Sequence, residues 1–178
     1  PETVERLVKA GHELFIEEGA GTAAGFPDSA YAEAGAKTAS ATEIAGSVDI
    51  FVHVQPPTSE EIGSLKKGSI VVSTLSARTN APVVASLASA GATALAMELV
   101  PRIARAQRMD VLSSQASIAG YKAALLAANS LGKYLPMMMT AAGTIPPAKI
   151  LVLGAGVAGL QAIATARRLG AIVEAFDV

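Results

Sequence analysis

The sequence predicts an α/β protein: two doubly wound, parallel-sheet domains joined by a long helix, the second of them truncated. Three observations predict it. Short β-branched runs alternate with helical stretches of about 10 residues through the first hundred positions, the pattern of parallel strands linked by crossover helices. One uninterrupted helical stretch follows, from Met109 to Tyr134. A strand–turn–helix–strand unit then runs from Lys149 to the last residue.

Each element has a local reason. Pro1 to Ala10 puts Val4, Leu7 and Val8 on one helical face, with acids in the first turn where the helix dipole favours them. His12 to Ile16 reads as a short strand closed by Glu17-Glu18-Gly19, and Pro27 and Asp28 open a helix to about Ala34. Val48 to Val54 is a strand stopped by Pro56-Pro57. Thr58-Ser59-Glu60-Glu61 caps the next helix, and Ser69 to Leu75 is another strand. Asn80-Ala81-Pro82 starts a helix that Gly91 terminates, and Thr93 to Leu99 returns as a strand. Leu112, Ile118, Leu125 and Leu126 of the long helix are spaced for burial, and Pro136 ends it. Met137 to Ala148 is expected as a loop whose three methionines fill gaps in a core. The domains are then residues 1–108, a connecting helix and loop over 109–148, and the start of a second α/β domain over 149–178.

Composition excludes several function classes. The chain has 178 residues, a net charge of −1 and no Lys/Arg block, so a nucleic-acid surface is unsupported. With no cysteine there is no disulfide, zinc–thiolate site or cysteine nucleophile, and no metal site is expected. Lys149 and Arg167 bracket 17 uncharged residues, close to the ~17–25 that cross a bilayer. Three glycines and Gln161 inside that stretch favour a strand–turn–helix instead. The chain opens at Pro1 without a methionine and stops where a second strand of the last unit would be ending, so it is expected to be part of something longer.

The stretch that carries chemistry is Gly154-Ala155-Gly156-Val157-Ala158-Gly159. It follows the apolar run Lys149 to Leu153, read as a buried parallel strand, and it opens the helix Leu160 to Leu169. In a Rossmann-like turn the first glycine permits the tight bend and the second lets a pyrophosphate reach the backbone. The third allows close helix–strand packing. Free N–H groups at the helix start meet the diphosphate charge. Asp177, 18 residues past Gly159, closes the next strand where a carboxylate accepts from the adenosine ribose. Such a bond contributes roughly 1.5–3 kcal/mol, and a 2′-phosphate would be repelled, which favours NAD(H) over NADP(H).

Pro101 to Gly120 (PRIARAQRMDVLSSQASIAG) and Pro136 to Pro147 (PMMMTAAGTIPP) are long and unusual. On these stretches the chain resembles the NAD(H)-binding α-subunit component of the proton-translocating NAD(P) transhydrogenase family, over essentially its whole length. The resemblance implies that Arg102, Ile103 and Ala104 line the cofactor and that Gln107 reaches toward a nucleotide on a partner. It implies that Asp110 and Ser113 hold the carboxamide or orient the loop, and that Val157 and Asp177 add contacts. Arg102, Gln107 and Asp110 are thereby the catalytic candidates, and Gly154, Gly156 and Gly159 the phosphate-binding ones. Without the family, Arg102, Arg105 and Arg108 read equally as a solvated face, and Asp110 as a helix cap.

The same family contains alanine dehydrogenases. Where these carry Lys-Val-Lys-Glu-Pro this chain has His53-Val54-Gln55-Pro56-Pro57, and where they place a histidine it has Thr74-Leu75-Ser76. Both catalytic positions are replaced, which suits direct hydride passage between two nicotinamides, where no carbonyl oxygen needs a proton. The resemblance implies a homodimer, an NADP(H)-binding partner component and a membrane-embedded proton channel component. The location implied is cytoplasmic, peripheral to the inner membrane. Two other functions are kept open: an alanine dehydrogenase-like enzyme with displaced catalytic groups, and a non-catalytic NAD-binding module.

Overall fold

The computed structural model describes residues 1–178 as a mixed α/β chain with parallel sheets. It divides into two compact units, Pro1–Val100 and Pro101–Val178.

In the first unit α1 (Glu2–Lys9) leads to β1 (Phe15–Glu17), and α2 (Asp28–Glu33) carries the chain to β2 (Lys37–Ala39), parallel to β1. After α3 (Ala41–Ser47) come β3 (Ile50–Val52), α4 (Ser59–Ser64), β4 (Ile70–Ser73), α5 (Ala81–Ser89) and β5 (Thr93–Ala96). The strands β3, β4 and β5 pair in parallel in that order, each crossover made by a helix. Phe51, Val71 and Leu75 project from one face onto Ile44, Ala45, Ile62 and Leu87, which form the core. Side chains of this size contribute about 1.5–3 kcal/mol each when fully buried. The alternate residues Ile50, Val52, Val54 and Leu95 are exposed.

Two capping boxes start α3 and α4. Ser40 and Thr58 accept from the backbone N–H of Glu43 and Glu61, whose carboxylates accept in return from the cap residues' N–H groups. The first box marks a strand and helix, β2 and α3, that the hydrophobic periodicity does not reveal. The expected strands prove shorter: the first begins at Phe15 rather than His12, and the last ends at Ala96, where Met97–Leu99 turns into a single 3₁₀ turn.

That 3₁₀ turn presents Glu98 to the end of β4. Its carboxylate accepts from the N–H of Leu75 at 3.0 Å and of Ala77 at 2.8 Å. Ser76 between them has φ 52°, the one non-glycine residue of the chain with positive φ. This left-handed residue turns successive N–H groups onto one carboxylate, a backbone nest.

In the second unit α6 (Val111–Ser130) is followed by an antiparallel hairpin, β6 (Met138–Thr140) and β7 (Gly143–Ile145). Then β8 (Lys149–Leu153), α7 (Val157–Arg168) and β9 (Ile172–Phe176) form a β–α–β unit with parallel strands. Leu135, Ala148, Ala166 and Ala171 make its core.

Four expectations are corrected here. The long helix ends at Ser130, before Leu131 and well before Pro136. Its buried residues are Gly120 and Ala124, whereas Ile118 is 59% exposed and Leu126 55%. Small side chains win that face because α7 packs closely against it. The segment after Pro136 is a hairpin, not a loop, and its methionines are on the surface, Met139 being 81% exposed. The run Lys149 to Leu153 is not buried on both faces: Leu151 and Leu153 point outward on the side away from α7's core contacts.

Candidate functional site

The N-terminal turns of α6 and α7 open onto one cleft of about 380 Å³ in the second unit. One wall is Arg102, Leu112, Ser113 and Ala116; the other is Leu153, Gly154 and the run Gly156 to Gly159. Two helix N-termini therefore share a concave surface, and each deals with its unpaired N–H groups differently.

At α6 the chain supplies its own anion. Asp110 accepts from the Ser113 N–H at 2.9 Å and from the Ser113 hydroxyl at 2.7 Å. The hydroxyl and then the N–H hold the Asp110 carboxyl below the ordinary aspartate range. Desolvation opposes them, and the nearby Arg102 charge adds to the lowering. Asp110 is thus a helix cap that also fixes the Ser113 rotamer.

At α7 no side chain caps the helix. The first N–H groups have no partner within a helix, so they face the cleft as anion donors backed by the helix dipole. The glycines make this geometry possible. Gly154 has φ 96°, a conformation that side chains disfavour. A Cβ on Gly159 would lie 1.8 Å from the Gly154 carbonyl oxygen, so the turn can close onto the helix only with glycine there.

Gly156 differs from both. Its φ of −69° suits any residue, and a Cβ added there meets nothing within 4 Å. Neither backbone conformation nor packing within the chain requires glycine at this position, yet it lines the cleft. The space is of the kind a ligand's phosphate needs against the main chain.

Asp177 follows β9, and its carboxylate accepts from the main-chain N–H of Ala155 in the glycine turn and from Val178 N–H at 2.7 Å. It stands beside the turn and outside the cleft lining, its oxygens engaged with the backbone. Of the other sequence candidates, Arg102, Ser113, Gly154, Gly156, Val157 and Gly159 come together in the cleft. Asp110 joins them through Ser113. Ile103, Ala104 and Gln107 do not line it: they sit on or next to an exposed 3₁₀ segment, Ala104–Met109. Sequence reasoning missed Leu112, Ala116, Leu153 and Ala158. The signal for the first two was present, since positions 112, 113, 116 and 120 share a helical face.

His53 lies in the first unit on the packed side of β3. Its ring stacks on Phe51 at 5.8 Å, Nδ1 lies 2.7 Å from the Gln55 carbonyl oxygen, and Nε2 is 3.6 Å from buried Glu61.

Comparison with known proteins gives the family. The profile described as Alanine dehydrogenase/PNT, N-terminal domain, matches residues 1–119, and the corresponding C-terminal domain profile matches residues 123–178. The chain belongs to the alanine dehydrogenase/PNT family. An NAD(P) transhydrogenase subunit alpha polypeptide of Rhodospirillum rubrum is 50% identical over all of this chain and 48% of its own length. The crystal structure of transhydrogenase from Sinorhizobium meliloti superposes with a TM-score of 0.95 at 50% identity, covering 99% of this chain and 53% of that one. An alanine dehydrogenase of Mycobacterium tuberculosis is 30% identical over all of this chain and 48% of its own length. The chain therefore spans about half the length of these relatives.

Proposed function

We propose that this chain is part of the NAD(H)-binding component of an NAD(P) transhydrogenase, with the α6/α7 cleft as the dinucleotide site. The observation that carries the binding claim is Gly156: a glycine that nothing within the chain requires, at an uncapped helix N-terminus, on the wall of a cleft. The pyrophosphate would lie on the N–H groups of α7, and the nicotinamide end would face Arg102 and the Ser113 hydroxyl that Asp110 holds. When bound, the dinucleotide supplies the hydride. The chain's own contribution is to hold its reactive carbon at about 3–3.5 Å from a second nicotinamide on the NADP(H)-binding partner.

The choice of transhydrogenation over alanine oxidation is supported by the higher identity to transhydrogenase subunits, 50% against 30%. In the dehydrogenase reading the displaced catalytic role would pass to His53, whose ring is engaged with Phe51, Gln55 and Glu61 in the first unit. Exposed Gln107, beside the cleft wall and not part of it, suits contact with the partner component. No helix is long and apolar enough to cross a membrane, so in this reading proton translocation and attachment to the cytoplasmic face of the membrane belong to other components. A homodimer belongs to the same reading, and α6 leaves Ile118 and Leu126 exposed opposite its buried face.

The test uses the full-length protein mixed with an NADP(H)-binding transhydrogenase component. Hydride transfer from NADH to an NADP analogue is expected, slowed by Gln107→Ala while NADH affinity stays near wild type. Good NADH binding without transfer overturns the proposal, and turnover of alanine in its place would establish the dehydrogenase reading.

A further inference from the structure

We propose that Gly120 is a positioning residue of the nucleotide site, setting the separation between the two walls of its cleft. The inference rests on the function proposed above. Gly120 lies in the middle of α6, where glycine costs about 1 kcal/mol relative to alanine. Its φ is not left-handed, so conformation does not demand it. Contact does. A Cβ on Gly120 would lie 2.0 Å from the carbonyl oxygen of Ala158, in the first turn of α7.

The geometry couples this contact to the site. Ala158 and Gly159 form one wall of the cleft, and Ala116 and Ser113, one and two turns before Gly120 on α6, form the other. Ser113 and Ala116 belong to the same helix as Gly120, and Val157 to Gly159 open the other, so the closest approach of α6 to α7 fixes how far the Ser113 hydroxyl stands from the phosphate-binding N–H groups. An alanine at 120 needs the crossing to open by about 1 Å before the contact reaches 3.0 Å. A misplacement of that size is enough to cost on the order of a hundredfold in rate. Ala124, one turn further on, is the other buried residue of α6 and continues the same seam.

The experiment compares Gly120→Ala with Gly170→Ala in the full-length protein. Gly170 lies past the far end of α7, has φ 92°, and an added Cβ there would be 2.5 Å from Pro136 Cβ. It therefore destabilises the same unit away from the cleft. NADH affinity, hydride transfer at saturating NADH and Tm are read for each. Gly120→Ala is expected to weaken NADH binding about tenfold and lower the saturated transfer rate about a hundredfold. Gly170→Ala is expected to lower Tm with binding and transfer near wild type.

Wild-type binding and transfer in Gly120→Ala, or parallel losses in both variants that track Tm, overturn the inference. Should Gly120→Ala fail to fold, Ala124→Val supplies a milder wedge. It is expected to weaken binding in the same direction, and unchanged affinity in a folded Ala124→Val overturns the inference. A wild-type protein that does not bind NADH overturns the parent proposal as well, so the two failures are distinguishable.

Discussion

The main-chain N–H of Ala155 donates to the carboxylate of Asp177, tying the glycine turn after β8 to the end of β9. One carboxylate thus braces the turn from the side, and it also sets a fixed negative charge next to the place proposed for the adenosine ribose. The two roles are linked, because a braced turn keeps the α7 N–H groups aimed at the cleft.

Replacing Asp177 by Asn removes that charge and keeps an acceptor for Ala155. Loss of a charged hydrogen bond, roughly 1.5–3 kcal/mol, corresponds to about ten- to a hundredfold in affinity. NADH should weaken by that factor and NADPH should gain relative to it. Fluorescence titrations with both dinucleotides read the ratio, and an unchanged ratio would remove Asp177 from cofactor choice.

Asp110 should titrate below an ordinary aspartate, because the Ser113 hydroxyl and N–H stabilise its charged form. A depressed folded-state pKa contributes stability above the unfolded value and loses it as pH falls through the folded value. The α6 N-terminus should therefore loosen in acid below the ordinary aspartate pKa. Carboxyl NMR follows the titration directly. Asp110→Ala should fray the first turn of α6 and weaken NADH binding, with Asp110→Asn intermediate.

Glu98 gives a second acid-sensitive point, in the first unit. Burial raises its pKa, but the N–H groups of Ala77, Glu98 itself, Leu75 and Ser76 together lower it more, so the net shift is downward. Its stabilisation is present above the ordinary glutamate value and is lost below it. Glu98→Gln leaves donors of the nest poorly matched and should cost about 1–3 kcal/mol. Chemical denaturation near neutral pH measures this, and the difference from wild type should shrink as the pH drops below 4.5.

Leu87 is 1% exposed and packs into the core of the first unit. Leu87→Ala should destabilise by about 2–5 kcal/mol through lost burial and a residual cavity. NADH binding by the second unit should persist wherever the protein remains folded.

Much of this architecture is legible in the residues. Thr58 and Glu61 announce α4, Asn80 and Pro82 announce α5, and the three glycines place the turn between β8 and α7. The Ser40–Glu43 box is an equally plain signal for α3, but it lies where hydrophobic periodicity alone shows neither β2 nor α3. What the pattern does not convey is which face of a helix a neighbour occupies. Counting apolar residues points to Ile118 and Leu126 as the inner face of α6, yet the buried residues are Gly120 and Ala124, and at Gly120 the α7 backbone comes too close for any side chain. The cleft shows the same limit. Its glycine wall is visible as a motif, and helical spacing puts Leu112 and Ala116 on one face with Ser113, but that this face meets the start of α7 is not in the pattern.

The central claim is that the wall at Gly156 accommodates a dinucleotide, and titration of NADH into the full-length Gly156→Val protein tests it most directly. A Cβ at Gly156 meets nothing within 4 Å and its φ of −69° suits any residue, so the variant should fold. Its side chain would fill the space needed by the pyrophosphate, and NADH binding should fall by about a hundredfold or more. Wild-type NADH affinity in a normally folded Gly156→Val protein would contradict the account.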